Sequence, residues 1–220
     1  MPFPFQTFMK KVHKPPIPTD GLVVYYPFNG NTDDESGNGN TMVNFGATLT
    51  TDRFGNPNRA YHFNASSFYM RSQLAIPARG STGLTVSVWV DPVTWNSKMP
   101  VSQRDFAVGL WQFFTTTANS QAYVWTGGSS QIATTAHTYT GWTNLFMTST
   151  GLNGAPLDFY INNSLVDSIT LTADIDDASQ FMTIGRAGQA AALYWDGDIG
   201  TIIMYNRRVS DAERTIIIND

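Results

Sequence analysis

From residue 22 onward, apolar and polar positions alternate in short bursts separated by Gly, Asn and Pro. LVVYYPF (22–28) is β-branched and aromatic and stops at Asn29-Gly30, the signature of a strand running into a turn. LTVSVWVD (84–91) alternates Leu84, Val86, Val88 and Val90 with Thr85, Ser87, Trp89 and Asp91. That period of two marks a strand with one buried face. Further strands are expected at 60–63, 68–71, 106–114, 122–125, 143–149, 157–161, 165–170 and 181–184, and GTIIMYN (200–206) reads as a strand central to a sheet. One helix is expected, at the C-terminus. Ser210 and Glu213 form a capping box, and the β-branched run Thr215–Ile218 keeps that helix short. About a dozen short strands with Gly, Asn and Pro turns imply a sandwich or barrel, not a βαβ fold. No repeat of fixed period is visible and no linker divides residues 21–220.

Residues 1–20 break the pattern. They hold five of the eleven prolines and three of the four lysines, together with Phe3, Phe5, Phe8 and Met9. Proline favours extended backbone and cannot donate to a strand ladder. The segment reads as an extended arm in front of one domain, residues 21–220. Its apolar Phe3, Phe5 and Phe8 and its basic Lys10 and Lys11 point to an anchoring role, with a floppy leader as the plainer reading.

Composition agrees with an all-β chain. Charged residues are 14% of the 220, against about 25% in typical domains. Only two are Glu and four are Lys, the residues that usually coat exposed helices. There is no cysteine, which excludes disulfides, thiolate metal sites and Cys nucleophiles. A net charge of −4 offers no general attraction to nucleic acid or anionic membrane. The N-terminus has its basic residues after its apolar ones and no continuous apolar run, so it does not read as a secretory signal.

Three stretches, in order, resemble the laminin-G-like, concanavalin A-like jelly-roll family. They are GLVVYYPFNGNTDDESGNGN (21–40) with ATLTTDRFGNPNRAYHFNASSFYM (47–70), then GWTNLFMTSTGLNGAPLDFYINNSLV (141–166), then FMTIGRAG (181–188) leading to YWDGDIGTIIMYNRRVSDAE (194–213). The resemblance implies two antiparallel sheets of about six or seven strands each, packed face to face. Two departures stand out. The family hairpin turns on Asn-Gly, where this chain has Asn162-Asn163, a pair that also tolerates positive φ. The family's closing motif carries an Asp where this chain has Gly200. In relatives that Asp helps to hold a structural calcium. Asp34 and Asp198 are the remaining carboxylates that match such a site, so at most weak calcium binding is expected, and no other cofactor. The alternative for the 31–40 turn is that its acids and amides bond their own backbone.

Catalytic chemistry is not expected. Glu35 lies in a turn and Glu213 in a helix cap; Asp174, Asp176 and Asp177 fall between strands. Asp196 and Asp198, beside Trp195, are the best carboxyl pair, with a strand-entry turn as the plainer reading. His13, His62 and His137 have no metal-ligand spacing, and no G-x-S-x-G elbow occurs. Asn64-Ala65-Ser66 fits a glycosylation sequon without a secretory signal to support it. Sugar binding is the better match, because aromatic faces near loops stack on sugars. Trp95, Trp125, Tyr139 and Trp195 are the candidate ligand contacts, whereas Trp89, Trp111 and Trp142 fall in strand patterns and are assigned to the core. The expectation is a non-enzymatic structural, decoration or adhesion protein of a phage-like particle. The arm would grip other virion proteins or sister subunits, and the outward sandwich would meet surface glycans. The alternative is a free carbohydrate-binding module of a bacterial exoprotein.

Overall fold

The computed structural model describes residues 15–77, 82–104, 109–188 and 192–220. In chain order the strands are β1 (Leu22–Tyr26), β2 (Met42–Phe45), β3 (Thr48–Thr50), β4 (Ala60–Asn64), β5 (Tyr69–Pro77), β6 (Leu84–Thr94), β7 (Val101–Arg104) and β8 (Gly109–Thr115). They continue as β9 (Asn119–Thr126), β10 (Ser129–Ala136), β11 (Thr143–Ser149), β12 (Pro156–Ile161), β13 (Ser164–Thr170), β14 (Ser179–Ile184) and β15 (Asp196–Tyr205), followed by helix α1 (Asp211–Ile218). All the strands pair antiparallel. An eight-stranded sheet runs β13-β12-β11-β6-β15-β4-β3, with β1 also on β15; a seven-stranded sheet runs β10-β9-β8-β7-β14-β5-β2. This is the expected jelly-roll sandwich. β15 is central, flanked by β6 on one side and by β4 and then β1 on the other.

The core lies between the sheets. Leu84, Val86, Val88 and Val90 of β6 enter it, as the period of two requires, beside Leu145 and Met147 of β11 and Ile202 and Met204 of β15. From the other sheet come Trp111, Phe113, Val124, Met182 and Ile184. Gln103 is fully buried among them, yet paired. Its amide donates to the Ile76 and Gln180 carbonyls and its oxygen accepts from Trp111 Nε1.

The other face of β6 departs from the expected pattern. Thr85 and Ser87 are buried too, because a second apolar cluster covers the outer face of the eight-stranded sheet. Phe146, Tyr160, Ile203, Tyr205 and Val209 pack there under Ile217 and Ile218 of α1. Ile17 joins this cluster, Tyr205 donates its hydroxyl to the Pro18 carbonyl at 2.8 Å, and Arg207 Nε donates to the Asp20 carbonyl at 2.9 Å. The last part of the expected arm, residues 15–20, therefore lies against the sandwich. Phe3, Phe5, Phe8, Lys10 and Lys11 fall outside the described residues.

Helix α1 starts where the capping box placed it. Glu213 N donates to Ser210 Oγ, Ser210 N donates back to Glu213 Oε2 at 2.8 Å, and Arg207 holds both carboxylate oxygens. The bonds from Arg207, ahead of those from Ser210, pull the Glu213 carboxyl down to about 2. A depressed acid contributes stability above its unfolded value, near 4.5, and loses it as pH falls toward 2. Glu213→Gln is accordingly expected to melt below wild type at pH 7, by ~1 kcal/mol for a partly solvated surface pair. The gap should close between pH 4.5 and pH 2 in melting curves recorded across that range. A gap constant with pH would place the carboxylate's contribution elsewhere.

Candidate functional site

Beside the C-terminus of α1, the outer face of the eight-stranded sheet opens into a cleft of about 510 Å³. Its walls are Arg53, Phe54, Trp89, Trp142, Asn162, Asn163, Ile218 and Asn219. Trp89 is on the outward side of β6, between the core-facing Val88 and Val90, and its Nε1 donates to the Ile218 carbonyl at 3.3 Å. Arg53 lies between two rings, 4.1 Å from Trp89 and 4.0 Å from Phe54, and also donates to Ile218 O at 3.2 Å. Desolvation draws its guanidinium down to about 10, well short of neutrality at pH 7. Phe54 is 60% exposed and Trp142 is half-buried, so both rings are within reach of a ligand.

The amides come from the β12–β13 turn. Asn162 and Asn163 both take positive φ, 48° and 70°, as the replaced Asn-Gly pair requires. Asn162 Oδ1 accepts from Asn144 N at 2.8 Å and Asn163 Oδ1 accepts from Arg214 Nε at 2.8 Å. These bonds fix the side chains and, among the described residues, leave both amide NH2 groups free to donate. Gly200 completes the floor. A Cβ there would lie 3.2 and 3.4 Å from ring atoms of Trp142 and 3.4 Å from Trp89 Cβ. The position that carries an Asp in the resembling family is here the seat of an indole.

Of the sequence-expected contacts, two are corrected. Trp195 is fully buried in the core between the sheets. Tyr139 is 6% exposed and bonds Ser120 Oγ at 2.8 Å; burial raises its hydroxyl pKa. Neither offers a face to a sugar. Trp95 is half-buried, tilted on Tyr139 at 5.6 Å, and borders a small depression with Val93 and Asn96. Trp125 is half-buried on the outer face of the seven-stranded sheet, far from the cleft. Conversely, Trp89 and Trp142, assigned to the core, line the cleft, while Trp111 is core as expected. The signal for Trp89 was available, since the β6 alternation already set it on the side opposite the valines.

The two carboxylates expected at a calcium site are not brought together. Asp34 accepts from Tyr25 N, Ser36 N and Asn40 N at 2.9–3.0 Å, tying down its own turn. Asp198 faces His62, with Nδ1 2.8 Å from Oδ1. Tyr25 pairs with Ile203, about 16 Å along β15 from Asp198 at 3.3 Å per residue. Among the described residues no cluster of three or more His, Asp or Glu could hold a metal. The residues present do not fit the calcium site of the resembling family.

Asp196 and Asp198 lie in the first residues of β15, a strand rather than an entry turn. Asp196 accepts from Thr94 Oγ1 at 2.6 Å. Asp91 sits opposite Asp198 on β6, and burial, together with the negative charge of Asp198, holds its carboxyl above the ordinary range. Neither acid lines the cleft. Asp176 binds the Gly127 and Gly128 amides, and Asp174 binds Asn153 N, so both serve loop backbone.

No helix among the described residues is long and apolar enough to cross a membrane. No curated protein is similar in sequence. Among solved structures, the binding domain of botulinum neurotoxin DC in complex with SialylT is 13% identical with a TM-score of 0.70, over 91% of this chain and 52% of that one. The same toxin's binding domain in complex with rat synaptotagmin II gives 13% and 0.70 over the same shares. A structure titled for the dependence of botulinum neurotoxin type C cell entry on two ganglioside molecules gives 14% and 0.72, over 91% and 51%. The chain spans about half the length of these structures, and at such identity the likeness concerns the fold. The family model described as Concanavalin A-like lectin/glucanases superfamily matches residues 68–213, two thirds of the sequence. The chain belongs to the Concanavalin A-like lectin/glucanases superfamily.

Proposed function

We propose that this protein is a non-enzymatic adhesion domain that binds glycans in the cleft beside α1, and that residues ahead of β1 attach it to a phage-like particle. The observation that carries the glycan reading is the cleft itself. Open aromatic rings, Phe54 and Trp142, stand beside the donor groups of Asn162 and Asn163 and the guanidinium of Arg53. Stacking rings combined with a few fixed hydrogen-bond donors are what a sugar face and its hydroxyls require. Attachment through the N-terminal segment draws support from Ile17 and Pro18, which couple residues 15–20 to the second apolar cluster. A pull on the segment would thus be transmitted to the sandwich.

Binding of neutral oligosaccharides to the full chain, screened on an array and then measured by calorimetry, tests the cleft. Trp142→Ala and Phe54→Ala are each expected to weaken binding by about tenfold or more, with Phe54→Ala melting as wild type because its ring is largely exposed. Binding unchanged in both variants would overturn the cleft as the site. Co-purification with particles, lost when residues 1–14 are deleted, tests attachment; a chain recovered only free would favour a secreted lectin module.

A further inference from the structure

The outer face of the seven-stranded sheet carries a second set of residues that the cleft does not use. Alternation places Arg71 of β5, Phe181 of β14, Arg104 of β7 and Tyr123 and Trp125 of β9 on this side, since Met70, Met182, Val101, Ala122 and Val124 enter the core. Three arginines lie on aromatic rings there. Arg71 is 3.8 Å from the Phe181 ring, Arg186 is 3.5 Å from Tyr69, and Arg104 is 5.3 Å from Trp125. Tyr69 in turn stacks on Phe45 at 4.4 Å, and Phe45 is 43% exposed at the sheet edge.

What sets these arginines apart is the lack of an acceptor. Arg207 pairs with Glu213, Arg208 with Asp158 and Arg214 with Asp211, while Arg53 bonds a carbonyl and Arg59 bonds Asn29. Among the described residues, the side chains of Arg71, Arg104 and Arg186 make no hydrogen bond or ion pair. The Nε atoms of Arg71 and Arg186 are buried without a partner. This occurs in a chain with 17 acidic and 13 basic residues, where carboxylates are not scarce. Stacking fixes a guanidinium plane and leaves its edge to fork onto an oxyanion.

We propose that this face binds acidic polysaccharide, with the carboxylate or sulfate groups of the chain received by Arg71, Arg104 and Arg186 and its sugar rings laid on exposed Phe45 and the half-buried aromatics beside it. The inference goes beyond the cleft reading and uses none of its residues. Charge complementarity selects the occupant, because three cations unpaired among the described residues, set among partly exposed rings, fit a ligand that is both anionic and rich in C–H faces. Arg71 and Arg104 are separated by two strand spacings, on the order of 10 Å, so a repeating polyanion can engage both. The face is also opposite the one that Ile17 and α1 cover, so an attachment at the N-terminal segment leaves it free.

The test is binding of the full chain to heparin and to polygalacturonate, with dextran as a neutral control and single-stranded DNA as a non-sugar polyanion. The proposal expects binding to at least one of the two acidic polysaccharides, weakening with salt. Each of Arg71→Ala, Arg104→Ala and Arg186→Ala should reduce affinity by about tenfold, while Trp142→Ala leaves it unchanged. Arg71→Lys and Arg104→Lys keep the charge and should still lose several-fold, because an ammonium lacks the planar fork. Failure to bind either acidic polysaccharide, binding equal in the arginine variants, or tighter binding to DNA than to both would each overturn the proposal. Because the cleft is read with neutral sugars and Trp142→Ala, either reading can fail without the other.

Discussion

Val88→Asp is expected to destroy the sandwich at physiological temperature. Val88 has no exposed surface and pairs with Leu145 on one side and Ile202 on the other, at the middle of the eight-stranded sheet. Losing the valine removes about 1.5–3 kcal/mol of burial. The introduced carboxyl then faces only apolar neighbours between the sheets, so it must ionise there at a cost of several kcal/mol or stay protonated with a raised pKa. Either route consumes a large part of the ~5–15 kcal/mol that holds a typical domain. At roughly 2–4 °C per kcal/mol for a chain of this size, the melting temperature should fall by on the order of 10 °C or more. A carboxyl whose folded pKa is raised contributes more to stability in acid, so the variant should regain part of the loss between pH 7 and pH 4. Leu165→Asp, at a residue 56% exposed on the edge strand β13, should change stability by only ~0.5 kcal/mol and serves as the control. A Val88→Asp protein with a wild-type cooperative melt would show that the valine does not face the core.

The same contrast explains what could be read from the sequence. The strands with clean alternation, β6 above all, and the β-branched run in β15 were legible because burial between two sheets imposes a period of two. The capping box marked the start of α1 for a similarly local reason. Four strands passed unrecognised: β2, β3, β7 and β10. They are short or built from Thr, Ser, Gln and Ala, and sheet pairing holds them without a distinct apolar pattern. The cleft was legible only in part. Asn162-Asn163 announced a tight turn, but its meeting with Trp142, Arg53 and the end of α1 depends on contacts from strands far apart in sequence. Trp195 and Tyr139 misled because a tryptophan or tyrosine beside a loop can still turn inward, as both do here.

Gly200→Asp, which restores the acid of the resembling family, should remove the cleft rather than create a calcium site. A Cβ at this position already meets Trp142 at 3.2 Å and Trp89 at 3.4 Å, so the indole must give by a few tenths of an ångström even for alanine. A carboxylate extends further into the same space, on a residue that is itself buried. Trp142 must then leave its seat, or a charge must be buried beneath it. Binding of neutral oligosaccharide should weaken as much as in Trp142→Ala, and the melting temperature should drop by several degrees for a cost of ~2 kcal/mol. Gly200→Ala should fall between this variant and wild type in both measurements. Calcium should not rescue the variant. Asp34 is committed to three backbone amides and Asp198 to His62, and Asp34's turn is bonded to β1, which pairs with the far half of β15. A ligand at 100 times its dissociation constant would add about 2.7 kcal/mol, an upward shift of several degrees that a melt in millimolar calcium against chelator would reveal. Such a shift in Gly200→Asp, with oligosaccharide binding intact, would mean that Trp142 can vacate the floor without cost and that this position still belongs to a metal site.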